Sequence, residues 1–88
     1  MRPETALRIM IRPYVTEKTF DMLEKQNKMV FIVDRKASKR SIRQAVEALY
    51  DVKVDSVNTA ITLIGKKAYV RLSKGSSAPD TASRLGLM

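Results

Sequence analysis

"KMVFIVDRKASKRSIRQAVEALY", residues 28–50, decides the fold. It opens with five consecutive apolar residues, Met29 to Val33, rich in β-branched and aromatic types and bounded by Lys28 and Asp34. So short a run between polar ends reads as a strand buried on both faces. From Ser38 the period changes. Ile42, Ala45, Val46 and Leu49 fall at i, i+3, i+4 and i+7, the stripe of an amphipathic helix that runs to about Tyr50. Ser38 is its natural N-cap, since a hydroxyl oxygen there can accept from a free first-turn N–H.

On the N-terminal side, "TEKTFDMLEKQN" (16–27) reads as another helix. Thr16 caps it, Glu17 lies in its first turn, Phe20 and Leu23 share a face, and Asn27 stops it. "LRIMIRP" (7–13) alternates briefly and ends at Pro13, so it reads as a short first strand, and "MRPETA" as a loose start. On the C-terminal side, "VKVDSVNTAITLI" (52–64) alternates as a third strand, with Val57, Thr59, Ile61 and Leu63 on one face. Gly65 marks a tight turn. "KKAYVRLSK" (66–74) returns with Ala68, Val70 and Leu72 inward and Lys67, Tyr69 and Arg71 outward. "DTASRLGLM" (80–88) reads as a short final helix or turn. The order β-α-β-α-β-β predicts an α+β sandwich, with a mostly antiparallel four-stranded sheet packed by helices. A chain of 88 residues is expected to form one domain, 1–88, with its core in about 9–73 and a short helix or tail over 77–88.

Cysteine and histidine are both missing. That removes disulfides, thiolate metal sites and cysteine nucleophiles, along with the commonest general base and transition-metal ligand. The carboxylates are scattered, the glycines form no phosphate loop, and the serines lack a histidine partner. The expectation is therefore no catalysis, no cofactor, no metal and no small-molecule substrate. No apolar run is long enough to cross a bilayer, and the start lacks the apolar middle of a signal peptide. An intracellular, soluble protein is expected.

Charge is the strongest global signal: 17 Lys and Arg oppose 9 Asp and Glu, for a net charge of +8. Such a field draws polyanions, nucleic acid above all. The cations are also oddly placed. "DRKASKRSIR" (34–43) puts Arg35, Lys36, Lys39, Arg40 and Arg43 at the start of a helix. That end already carries about half a positive charge from aligned peptide dipoles, so cations there are slightly unfavourable in the free protein. A phosphate bound by the free N–H groups turns that mismatch into affinity. The bland alternative is a solvated helix start. A second patch, Lys66, Lys67, Tyr69, Arg71 and Lys74, sets cations around an aromatic ring, which suits an RNA backbone with one stacked base.

"RPYVTEKT" (12–19), "NKMVFIVDRKASKRSIRQAVEALYDVKVDSVNT" (27–59) and "KKAYVRL" (66–72) together resemble the large-subunit ribosomal protein L twenty-three family, over about residues 9–73. The ending "ASRLGLM" resembles that of archaeal members. The resemblance implies a structural constituent of the large ribosomal subunit, located in the cytoplasm. It implies binding to large-subunit rRNA, mainly domain III, at the exit of the polypeptide tunnel. It further implies contact with ribosomal protein L twenty-nine and a share in docking the signal recognition particle or other exit-site factors, without membrane insertion. Carried over by motif, the rRNA-facing residues are Arg12, Thr16 and Lys18; Arg35, Lys36, Ser38, Lys39, Arg40 and Arg43; Asn58 and Thr59; and Lys66, Lys67, Tyr69 and Arg71. Glu17 matches the acidic position of "VTEK" and is the implied factor-docking residue. Bacterial members carry a long basic loop before "KKAYV". Here "AITLIG" (60–65) replaces it with a tight turn, so the resemblance does not extend to lining the tunnel interior.

Three other readings fare worse. An RNA-binding regulator with a recognition-motif-like sheet would need aromatics in the K/R-G-F/Y-G/A-F-V-x-F/Y pattern, which is missing. A small phosphatase-like enzyme using Arg and Asn would show turnover of an acyl phosphate. A membrane-surface module would need more bulky apolar residues on its helix and a Trp.

Overall fold

The computed structural model describes residues 2–86. Four helices and four strands follow one another: α1 (Pro3–Ile9), β1 (Met10–Pro13), α2 (Glu17–Gln26), β2 (Lys28–Val33), α3 (Lys39–Tyr50), β3 (Val54–Thr62), β4 (Gly65–Leu72) and α4 (Ala78–Arg84). The strands form one sheet in the order β1-β2-β4-β3, and every pairing is antiparallel. The expected α+β sheet with packed helices is what the chain builds.

The termini and strand ends differ from the sequence reading. Pro3 to Ala6 of "MRPETA" are not loose, and Met1 lies outside the described residues. They form most of α1, which packs on α3 through the fully buried Ala6. One small buried residue and an N-cap without a side-chain hydrogen bond leave little periodic signal in the sequence. The first strand accordingly starts at Met10 rather than Leu7. Leu63 and Ile64, read as strand, form the two-residue turn between β3 and β4. The C-terminal helix is α4, and Leu87 and Met88 lie outside the described residues.

Local chemistry explains the helix starts. Thr16 Oγ1 accepts from the Thr19 N–H at 3.3 Å, and Thr19 Oγ1 accepts from the Thr16 N–H at 2.6 Å, a reciprocal cap. Ser38 Oγ accepts from the Ser41 N–H at 3.1 Å. Replacing Ser38 by alanine is expected to lower the unfolding free energy by about 1 kcal/mol in urea melts.

All four helices contribute to a core on one face of the sheet, formed with Met29, Phe31, Val33, Ala68, Val70 and Leu72. Phe31 is fully buried and stacks on Tyr50 with ring centroids 5.6 Å apart. Val30 and Ile32 are also buried but lie outside this core, on the opposite, helix-free face. The strand is thus apolar on both sides, as its unbroken apolar run requires.

Asn27 ties the C-terminal segment to the sheet. It takes the left-handed conformation (φ 55°) that ends α2. Its side-chain amide donates toward the carbonyls of Leu72, Ser73 and Ser76, and its Oδ1 accepts from the Ala78 N–H at 2.6 Å, at the start of α4. Asn27→Ala is expected to cost about 2 kcal/mol through lost hydrogen bonds and left-handed strain. Asn27→Gly loses the same hydrogen bonds but adopts the left-handed conformation without strain, so chemical melts of the two variants separate the contributions.

Candidate nucleic-acid interface

Strand register arranges the helix-free face in rows. Arg12, Ile32, Lys67 and Ala60 are opposite one another across the four strands. The next row is Tyr14, Val30, Tyr69 and Asn58, with the Tyr14 N–H donating to the Val30 carbonyl at 2.8 Å. The third is Lys28, Arg71 and Ser56. A row with two tyrosines is therefore flanked on both sides by cations. Lys67 Nζ sits 4.1 Å from the centroid of the Tyr14 ring, a cation–π contact that joins the first two rows. The buried Val30 and Ile32 form the floor, flanked by the amphipathic stems of Lys67 and Arg12. Phosphates suit the cationic rows and a base face suits the tyrosines.

Two bulges make this arrangement. Met10 pairs with Val33 and faces the core, so strict alternation would send Arg12 inward as well. A register shift between them turns Arg12 to the open face instead. A second shift between Val54 and Ser56 buries Val54 beside Leu72 and turns Ser56 outward.

The start of α3 supplies a second cationic surface, beside the β3 edge. Lys39, Arg40 and Arg43 line a shallow groove with Ser56 and Val57. Arg35 and Lys36 lie exposed in the preceding turn. The only ion pair among the described residues is Arg43 Nε to Glu47 Oε2, at 3.9 Å. Glu47 Oε2 also accepts from the Val54 N–H at 3.0 Å, which links α3 to β3. Most of the cationic charge is therefore not consumed inside the fold.

The structure sorts the residues singled out in sequence into separate sectors. Arg12, Asn58, Lys67, Tyr69 and Arg71 come together on the open face. Arg35, Lys36, Ser38, Lys39, Arg40 and Arg43 gather around the α3 start. Thr16, Glu17 and Lys18 sit at the start of α2, and all three are exposed. Thr59 and Lys66 point the other way. Thr59 lies opposite Ala68 on the helix-bearing face, and Lys66 Nζ donates to the Ala37 carbonyl at 2.6 Å, pinning the hairpin to the turn before α3. Thr16 and Ser38 also hold helix caps. Tyr14 and Lys28 join the open face only through strand register. Tyr14 follows Pro13, where the alternation ends, and its only signal in the sequence is an aromatic two residues after Arg12.

The sequence model for ribosomal protein L23 matches residues 8–64. Large ribosomal subunit protein uL23 of Picrophilus torridus is 51% identical over 77 residues, covering 88% of this chain and 94% of that protein. The uL23 of Pyrobaculum aerophilum is 53% identical over 78 residues, covering 88% of this chain and 96% of that protein. The chain belongs to the ribosomal protein L23 family. That is a family of ribosomal structural proteins rather than of enzymes, and both relatives are archaeal, as the C-terminal ending implied.

Proposed function

We propose that this chain, as a uL23-type structural constituent of the large ribosomal subunit, binds large-subunit rRNA through the open sheet face and the α3 start. The observation that carries this reading is the row of Tyr14 and Tyr69 set between cationic rows on a helix-free face. Domain III is the proposed rRNA target and the tunnel exit the proposed place, both on the strength of the family resemblance. Arg12, Lys67, Arg71, Lys39, Arg40 and Arg43 hold phosphates, and Tyr69 stacks on a base. The test is binding to a transcribed domain III fragment against an unrelated structured RNA across a salt series. Specific recognition keeps the domain III complex at salt that strips the competitor. Loss of both complexes together sinks the assignment.

The same resemblance supports ribosomal protein L twenty-nine as a protein neighbour and the signal recognition particle as a docking factor. Glu17, exposed at the start of α2, is the proposed docking contact. Glu17→Lys is expected to weaken particle binding to ribosomes that carry it while leaving domain III binding unchanged. A loss of both would assign Glu17 to the fold or to rRNA instead.

A further inference from the structure

The β3–β4 hairpin ends in an aliphatic tip. Leu63 is 108% exposed, Ile61 63% and Ile64 50%, a large outlay of apolar surface for a small protein. The tip is locally braced. Thr62 pairs with Gly65, the Thr62 hydroxyl donates to the Gly65 carbonyl at 2.8 Å, and Gly65 takes the positive φ of 136° that the turn requires. Leu63 and Ile64 are thus presented on a short braced loop, so little conformational freedom remains to be lost on binding.

Cations outnumber acids around the tip. Residues 56–79 contain no Asp or Glu, and Lys66 and Lys67 directly follow the turn, while Asp34 stands beside the Val33–Lys66 pair at its base. The Lys66 contact with the Ala37 carbonyl sets the base of the tip against the cationic turn that leads into α3. The tip therefore projects from the junction of the two surfaces proposed to hold phosphates. An aliphatic group held against a polyanion has one apolar counterpart there, the faces of the bases.

We propose that Leu63 and Ile64 form a wedge that packs against base faces of the RNA held by the flanking cations, at an unpaired base or an opened step. Wedges of Leu and Ile between base steps are an established way of adding contact to phosphate-dominated binding. The charge of the flanks selects RNA over an apolar protein partner. This inference rests on the rRNA-binding reading above and adds a second kind of contact to it.

The experiment compares the full-length chain with a Leu63→Ser, Ile64→Ser double variant and a Leu63→Met, Ile64→Met control. The probe is the domain III transcript, read by affinity across a salt series and by chemical reactivity of its bases. Both residues are exposed, and circular dichroism checks that each variant is folded. The Ser variant is expected to bind about tenfold more weakly or worse with an unchanged salt slope, because no phosphate contact is lost. One or a few bases altered by the wild-type chain should return to their free reactivity, and the Met control should restore both readouts. Equal affinity and an identical reactivity map for the Ser variant overturn the wedge while the rRNA-binding reading stands, leaving the tip free for an apolar protein surface. If the wild-type chain shows no preference for the transcript, the underlying reading fails and the wedge with it.

Discussion

Phe31→Ala is expected to lower the unfolding free energy by about 3–5 kcal/mol, the range for truncating a buried Phe. Folded domains are stable by only about 5–15 kcal/mol, and one of this size lies at the low end, so the free variant will keep only a small part of its stability. The residue sits on β2, between β1 and β4, fully buried and stacked on Tyr50. Alanine leaves a cavity bounded by the sheet and α3. Both are held at several other points, so collapse recovers little of the lost packing. Urea melts measure the loss, and a value below about 1 kcal/mol would show that α3 closes onto the gap. Tyr50 reports on the same site. Burial pushes its phenol pKa above the ordinary 10.0. Its protonated form is thus favoured in the folded state, and its contribution, complete below that ordinary value, is lost as pH rises through the raised one. In Phe31→Ala the Tyr50 titration, followed by ultraviolet absorbance, should move back toward 10.0.

Neutralising Lys39, Arg40 and Arg43 together to Gln is expected to weaken domain III binding about 100-fold at physiological salt. The salt dependence should flatten by roughly 0.7–0.9 per lost phosphate contact, so about 2–3 for three contacts. Stability should stay level or rise by a few tenths of a kcal/mol, because Lys39 and Arg40 occupy the unfavourable end of the α3 dipole and are exposed. The Arg43–Glu47 pair is long and joins an exposed Arg43 to a half-buried Glu47, so its loss costs little. Glu47 retains its bond from the Val54 N–H. Weaker RNA binding in a protein of equal or greater stability is a combination that a fold defect cannot produce. Unchanged affinity and slope would remove α3 from the interface.

Much of this molecule is legible in its chain order because its strongest patterns are local. The run from Met29 to Val33, the Ile42–Leu49 stripe, the Thr16 and Ser38 caps and the outward Lys67, Tyr69 and Arg71 all follow from side-chain period and from hydroxyls that satisfy nearby N–H groups. The crowding of cations before α3 is visible in sequence for the same reason. What was not legible depended on partners distant in the chain. Residues of α1 look loose because Ala6 becomes a core residue only when α3 lies beside it. Lys66 looks like a free cation, equivalent to Lys67, until the fold brings the Ala37 carbonyl within 2.6 Å.

The sequence by itself determined the order of the central elements, the apolar face of each helix, the capped starts and the excess of positive charge. The tertiary structure alone decided which cations share a surface. The bulges that turn Arg12 and Ser56 outward, and the register that sets Tyr14 opposite Val30 in a row with Tyr69, are choices of strand pairing. A one-residue shift reverses the face of every side chain beyond it, and that shift is settled by packing across the sheet rather than by any pattern within one strand.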